Sequence, residues 1–169
     1  GLDFTGGPLM GDVNYYKPSL TSSYNLKLFS IDDYPFVLAA SNRLGYAERF
    51  GSTRSLPVYE RYFIGGADTI RGYNRTQIGP PNGGRIYDVM NIEFKIPLAR
   101  ERKRTIVQWA FFFDLGNSWD KFNEVNLRSG TGVTNLKAGA GFGLRFTTPA
   151  FPIRLDWGYG FNHKPGEQL

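Results

Sequence analysis

The amino-acid sequence predicts an all-β fold, namely a portion of an antiparallel transmembrane β-barrel with about seven strands and one long loop folded inside it. Three observations predict this fold. Hydrophobic residues alternate with polar or small residues over segments of about ten residues. Short connections alternate with long ones along the chain. The 169 residues, a length that fits one domain, are 16% aromatic and include 21 glycines.

Seven segments alternate in this way and are the predicted strands. The first two alternate loosely, the third is short and ends where a glycine-rich loop begins, and the last four alternate strictly. In chain order they are residues 15–28, 36–46, 57–66, 89–98, 105–116, 136–146 and 153–162.

The last of these segments has the strictest alternation. Its apolar set is Ile153, Leu155, Trp157, Tyr159 and Phe161, and its other set is Arg154, Asp156, Gly158, Gly160 and Asn162. In a membrane barrel the first set meets lipid and the second lines a wet interior. A soluble β-sandwich also alternates, with its apolar face packed on another sheet. Periodicity alone therefore leaves a soluble β-domain open as the alternative.

Strand length and connection length favour the barrel. The predicted strands match the roughly 9–11 residues that a tilted strand needs to cross a bilayer. Lipid offers no hydrogen-bond partners, which favours a closed antiparallel sheet. Short turns at one rim and long loops at the other are typical of outer-membrane barrels. Here the short connections are residues 30–35, 98–104 and 147–152, and the long ones are residues 47–57, 65–84 and 120–135.

Composition argues against several other classes of protein. The net charge is +5, but the basic residues are scattered, and the cluster RERKR at 100–104 lies between two predicted strands. We therefore expect a charged hairpin turn there and no nucleic-acid partner. The chain has no cysteine and one histidine, His163. With no nucleophile triad and no paired acid and base either, we expect no enzyme activity, no cofactor and no metal.

The loop at residues 65–84 reads GGADTIRGYNRTQIGPPNGG and carries the most specific motif. The longer stretch ERYFIGGADTIRGYNRTQIGP resembles the signature of the outer-membrane protein assembly factor superfamily (BamA-like). The core tetrapeptide is Ile70-Arg71-Gly72-Tyr73. The segments NIEFKIPL, FFFDLGNSWD and GAGFGLRFTTPAFPIRLDWGYGF follow the order of strands in that family. The resemblance covers nearly the whole chain.

The resemblance implies a role for these loop residues. It implies that the loop folds back inside the barrel and that Arg71 meets Glu93 and Asp114 on the inner wall. Physical chemistry gives a reason, because a charge carried into the interior needs compensation. Both acids lie on the inward parity of the strands after the loop. Two alternatives stay open: Arg71 is an exposed loop residue, or the two acids are hydrated charges with no shared partner.

Two further residues of the motif have expected roles. We expect Gly72 to allow close approach of the loop backbone to the wall. We expect Tyr73 to pack the loop tip against inward-facing residues such as the glycine track at 139–143. Ordinary roles are expected elsewhere: an interior wall pair for Arg154 and Asp156, cross-strand pairs for Lys137 and Arg145, a solvated His163, and membrane-interface or lipid-facing anchors for Trp119 and Trp157.

The resemblance also implies function, location and partners. It implies a barrel that inserts and folds β-barrel proteins, in the bacterial outer membrane or the outer membrane of an endosymbiont-derived organelle. The implied partners are outer-membrane lipid, nascent β-barrel client proteins and accessory assembly-complex subunits. Residues 1–169 are then expected to be the C-terminal part of the barrel, without the periplasmic domains and the last strand. The alternatives are a related secretion or import barrel and a passive porin-like barrel.

Overall fold

The computed structural model describes residues 1–6, 13–101, 104–147 and 151–163. These residues form one nine-stranded sheet and two single-turn 3-10 helices, Val58–Glu60 and Phe122–Glu124. Within the described ranges no helix is long and apolar enough to cross a membrane. The strands are β1 Leu2–Thr5, β2 Tyr15–Ile31, β3 Tyr34–Tyr46, β4 Glu48–Arg49, β5 Ile86–Glu101, β6 Arg104–Trp119, β7 Asn126–Ser129, β8 Asn135–Thr147 and β9 Pro152–Gly160.

The long strands pair in sequence as an antiparallel meander. The order across the sheet is β1-β2-β3-β5-β6-β8-β9, while β4 pairs with β2 and the short β7 runs parallel to β8. The path does not close on itself among the described residues, so the sheet has two open edges there. Six of the seven predicted strands therefore exist, and they follow the predicted order.

The outer face of the sheet carries large aromatic side chains in a row. Phe94, Phe111, Phe142 and Trp157 are successive register partners across β5, β6, β8 and β9. Phe111, Phe142 and Trp157 are 49%, 43% and 52% exposed. No second sheet covers this row in the described part of the chain. A soluble sandwich would bury such a row, so the exposed aromatic face favours contact with lipid.

The predicted strand at residues 57–66 is wrong. The segment forms the 3-10 helix Val58–Glu60, followed by isolated bridges from Tyr62 to Gly84 and from Ile64 to Ile78. Pro57 has no N–H group to donate, and Gly65 and Gly66 turn the chain with φ of 121° and 91°. Its apolar spacing reflects packing of a loop on the sheet, so the segment belongs to the loop.

The β2–β3 connection is a two-residue turn. Asp32 and Asp33 have φ of 46° and 66°, the signs that a type I′ hairpin turn requires at both central positions. The other two short connections include residues 102–103 and 148–150, which lie outside the described residues, as do residues 164–169. The long connections, residues 47–85 and 120–134, leave from the opposite rim.

The buried core lies between the loop and the inner face of the sheet. Its cluster contains Ile64, Ile70, Tyr73, Ile78 and Val89, with Tyr87 packed against it. Four of these five cluster members come from the loop. The loop therefore supplies most of the apolar surface that the sheet buries on its inner side.

Trp119 is not the exposed anchor that its position predicts. It is only 1% exposed, and its indole Nε1 donates to the carbonyl of Thr134 at 2.6 Å. The connection of residues 120–134 folds back over the end of β6 and covers the ring. Trp157, in contrast, is 52% exposed in the outer aromatic row.

The hairpin turn yields a stability prediction. Asp33→Gly should raise the free energy of unfolding by about 0.5–1 kcal/mol, because glycine adopts positive φ without steric cost. Asp33→Val, a β-branched residue at the same φ, should lower it. Thermal unfolding of the full-length protein in detergent, followed by heat-modifiable gel migration, measures both. Equal melting temperatures for the two variants would contradict the assigned turn.

Candidate functional site

The candidate site is built by the loop as it crosses the inner face of the sheet. The bridge between Ile64 and Ile78 closes the base of the loop. Inside that base, the Gly65 N–H donates to the Thr69 hydroxyl at 2.8 Å, and the Gln77 N–H donates to the carbonyl of Asn74 at 3.1 Å. These local bonds shape the excursion so that Arg71 points at the wall of the sheet.

The guanidinium of Arg71 is buried against two carboxylates. Its side chain is 6% exposed. Nε and Nη2 donate to the two oxygens of Asp114, both at 2.7 Å, and Nη1 donates to Glu93 Oε1 at 2.6 Å. The backbone N–H of Arg71 adds a bond to Asp114 Oδ2 at 3.0 Å. This is the two-pronged geometry in which arginine binds a carboxylate most strongly.

A third carboxylate and a second guanidinium complete a ring of charges. Asp156 Oδ2 lies 3.4 Å from Arg71 Nη1. Arg145 Nη2 donates to Glu93 Oε1 at 3.0 Å, and its Nη1 pairs with Asp156. Arg71, Glu93, Arg145 and Asp156 thus alternate in sign around a closed circuit, which we call the charge ring. Its members come from the loop, β5, β8 and β9.

The ordinary roles expected for Arg145 and Asp156 are therefore incomplete. The register partner of Arg145 is Arg154, so no favourable pair forms directly across the strands. Arg145 instead reaches diagonally to Asp156 and past β6 to Glu93. Alternation along each strand correctly predicted that both residues face the interior. It does not predict which residues of other strands a long side chain will contact. Lys137 Nζ donates to the carbonyls of Gly130 and Asn162.

Two more inward-facing residues support Arg71 and were missed by sequence reasoning. The ring of Phe112 lies beneath the guanidinium, and Arg71 Cζ is 3.5 Å from the ring centroid. This is a cation–π arrangement. Asn91 Nδ2 donates to Asp114 Oδ1 at 2.8 Å and to the carbonyl of Thr69 at 2.7 Å. Each lies two positions before an acid on the same strand face, and that spacing was the available signal.

Gly72 lies directly on β9. Its φ is +88°, and a Cβ there would collide with the backbone of Tyr159 and Gly160. A Cβ on Gly139 of β8 would likewise collide with the carbonyl oxygen of Arg71. Gly139, Gly141, Gly158 and Gly160 face inward on neighbouring positions of β8 and β9, and we call them the glycine floor. A backbone this close to a strand requires glycine on both sides.

Tyr73 packs the loop tip against inward-facing residues. Its ring lies over Gly160 of β9. Its hydroxyl is 3.3 Å from the carbonyl of Ala138 and accepts the Asn162 N–H at 2.9 Å. The ring of His163 packs on Tyr73 with centroids 4.5 Å apart, tilted by 31°, and both of its ring nitrogens are buried. The solvated position expected for His163 is therefore wrong.

The three acids differ in how much they depend on Arg71. Glu93 also pairs with Arg145 and Lys95, and Asp156 also pairs with Arg145 and Arg154. Asp114 is fully buried, and in the described ranges its only ion pair is with Arg71. Burial opposes the charge of Arg71, but hydrogen bonds and charges from Asp114 and Glu93 raise its pKa above the ordinary value.

The site is suited to holding a loop rather than to chemistry on a ligand. The nitrogens of Arg71 are engaged by carboxylates of the wall. Beside the ring lies an open cavity of about 560 Å³, lined by polar residues that include Ser41, Arg43 and Lys95. Throughout the described ranges, no group of three or more acidic or histidine residues is placed to hold a metal ion.

Comparisons with known proteins bear on this fold and this site. The family model described as the Omp85 superfamily domain matches residues 1–168. The outer membrane protein assembly factor BamA of Nitratidesulfovibrio vulgaris is 29% identical over 98% of this chain and 20% of its own length. The chloroplastic outer envelope protein 39 of Arabidopsis thaliana is 31% identical over 63% of this chain and 28% of its own length. The chain thus spans a fifth to just over a quarter of these relatives.

A solved structure resembles the fold. The crystal structure of BamA from Haemophilus ducreyi lacking POTRA domains 1–3 matches with a TM-score of 0.73. The match has 23% identity and covers 92% of this chain and 33% of that one. The predicted fold class, an all-β antiparallel portion of a β-barrel, is confirmed by this likeness and by the strands themselves.

The charge ring yields a prediction with an internal control. Arg71→Ala should lower the free energy of unfolding by about 3–5 kcal/mol, because it leaves the buried carboxylate of Asp114 without its ion-pair partner. Adding Asp114→Asn to Arg71→Ala should recover about 1–2 kcal/mol. Adding Glu93→Gln should recover less, since Arg145 and Lys95 remain beside Glu93. Thermal or denaturant unfolding of the full-length variants measures the difference, and equal recovery would contradict the special position of Asp114.

The close approach at Gly72 yields a second prediction. Gly72→Ala should lift the loop and expose it to protease, because the new methyl group collides with β9. Gly66→Ala is the matched control: its φ is +91°, yet its Cβ would meet no atom nearer than 3.8 Å. Both variants carry backbone strain of about 1–2 kcal/mol, so only Gly72→Ala should speed cleavage of the loop markedly. Equal cleavage rates would mean that strain alone matters.

Proposed function

The chain belongs to the Omp85 superfamily, and on that premise we propose that it is part of the transmembrane barrel of an outer-membrane protein assembly factor. In this role the protein inserts and folds other β-barrel proteins. The observation that carries the proposal is the likeness of 98% of the chain to a protein named as such a factor. The buried arginine anchor of the in-folded loop is consistent with it, because Arg71 belongs to the motif that carries the family resemblance.

The surfaces of the sheet suit this role. The aromatic outer face provides a lipid-facing wall, and the polar inner face with its cavity provides a wet interior. An unpaired strand edge presents free N–H and C=O groups, which can template an incoming strand of a client protein. The loop stabilises the wall from inside, so that the sheet keeps its shape while an edge exchanges partners.

The proposal extends to domain organisation, location and partners. We place residues 1–169 in the C-terminal part of the barrel, with residues 65–84 as its in-folded loop. The location that follows is the bacterial outer membrane, and the chloroplastic relative extends the same reasoning to organelle envelopes. The partners are outer-membrane lipid, nascent β-barrel proteins and accessory subunits of an assembly complex. The protein acts on its clients without enzymatic chemistry.

Arg71→Ala in the full-length protein tests the proposed function. The variant, purified and reconstituted in lipid vesicles, should fold a client barrel several-fold more slowly than the unsubstituted protein does. Arg75→Ala is the matched control, since Arg75 is an exposed arginine of the same loop and should leave the rate unchanged. Heat-modifiable gel migration of the client measures folding.

The outcome separates the proposal from its alternatives. If Arg71→Ala is folded at the assay temperature and client folding is unaffected, the loop has no part in assembly. If even the unsubstituted protein fails to accelerate folding but conducts ions across the vesicle membrane, a passive porin-like barrel is favoured. Transport of a soluble polypeptide in place of client insertion would favour a related secretion or import barrel.

A further inference from the structure

The inner face of β9 has little side-chain packing of its own. The strand has nine residues, against 13 in its neighbour β8 and 16 in β6. Two of its inward positions, Gly158 and Gly160, have no side chain to pack. Glycines on the buried face of a strand weaken it, so β9 depends on contacts from other parts of the fold.

The loop supplies contacts to β9 along the length of the strand. Near one end, Tyr73 covers Gly160 and accepts the N–H of Asn162. At the same end, Gly72 lies on Gly158 and Gly160. Near the other end, Arg154 Nη2 donates to the carbonyl of Ala67 and to Asp68 Oδ1, both at 3.0 Å. The loop therefore contacts β9 from the inside near both ends of the strand.

The charge ring adds a buried ion pair between the loop and β9. The Asp156 carboxylate lies between Arg71 and Arg145, with Oδ2 3.4 Å from Arg71 Nη1 and Oδ1 paired with Arg145. Arg145 also holds Glu93, so Asp156 is tied through both guanidinium groups to β5 and β8. Its side chain is 10% exposed, and charge-assisted bonds in so dry a place are strong.

We propose that Asp156 and Arg145 are positioning residues that extend the loop anchor to β9, so that insertion of the loop fixes β9 against the sheet. Glu93 and Asp114 hold the loop to β5 and β6, and Asp156 transmits that hold to the strand beyond β8. Release of the loop then frees β9 first, while β2 and β3 keep their pairing. This goes beyond the proposed function, because it concerns which strand the loop controls.

Amide hydrogen exchange of the full-length protein in detergent tests this inference. Asp156→Asn should raise exchange in β9 by about tenfold, with little change in β3. Asp88→Asn is the matched control: Asp88 also lies in a strand and accepts a hydrogen bond, from Asn42 Nδ2 at 2.7 Å, but on the outer face. That control should leave exchange in β9 unchanged. The assay does not read client folding, so its failure is distinguishable from failure of the proposed function.

A double-mutant cycle separates transmission through the loop from a local effect. In an Arg71→Ala background, where the loop hold is already lost, Asp156→Asn should change exchange in β9 several-fold less than in the unsubstituted protein, because only its pairs with Arg145 and Arg154 are then removed. Arg145→Gln should reproduce the selective loosening of β9 seen with Asp156→Asn. A full effect of Asp156→Asn in both backgrounds, or an equal rise of exchange in β3 and β9, would overturn the inference.

Discussion

The structure depends on one electrostatic constraint, which is that a guanidinium brought into the interior of the sheet must be neutralised there. A charge removed from water is costly unless it is paired and hydrogen-bonded. Arg71 meets this constraint with carboxylates on β5, β6 and β9, and the ring of Phe112 covers its flat face. Because these groups come from three strands, satisfying one side chain also fixes the strands relative to one another.

The two faces of the sheet are stabilised in different ways, and the same constraint explains the difference. The outer face is stabilised by its solvent, since large aromatic side chains gain by contact with hydrocarbon. The inner face has few apolar side chains of its own, and the apolar residues of the loop supply most of its buried cluster. The loop is therefore a substitute core. It buries hydrophobic surface and introduces the charge that holds it in place.

Much of this architecture was predictable from alternation along the chain. Six strands and the two faces follow from a period of two, which is a local property of the backbone. The pairing of Arg71 with Glu93 and Asp114 was implied by resemblance, and the inward parity of both acids agrees with it. Alternation did not predict positions that depend on tertiary contacts. Trp119 is covered by the connection after its own strand, and Asp156 joins the ring through contacts with Arg71 and Arg145.

The glycine floor has a consequence for how the contact is encoded. Where the loop passes over β8 and β9, the main chain of Arg71 and Gly72 meets the strands closely, and the Tyr73 ring covers Gly160. The surface that receives the loop is thus defined by the absence of Cβ atoms on the strands. Grafting residues 65–84 into a foreign barrel should fail unless Gly139, Gly158 and Gly160, which lie against the loop, are transferred with them. The loop and the strand positions that receive it therefore depend on each other, although they lie far apart in the sequence.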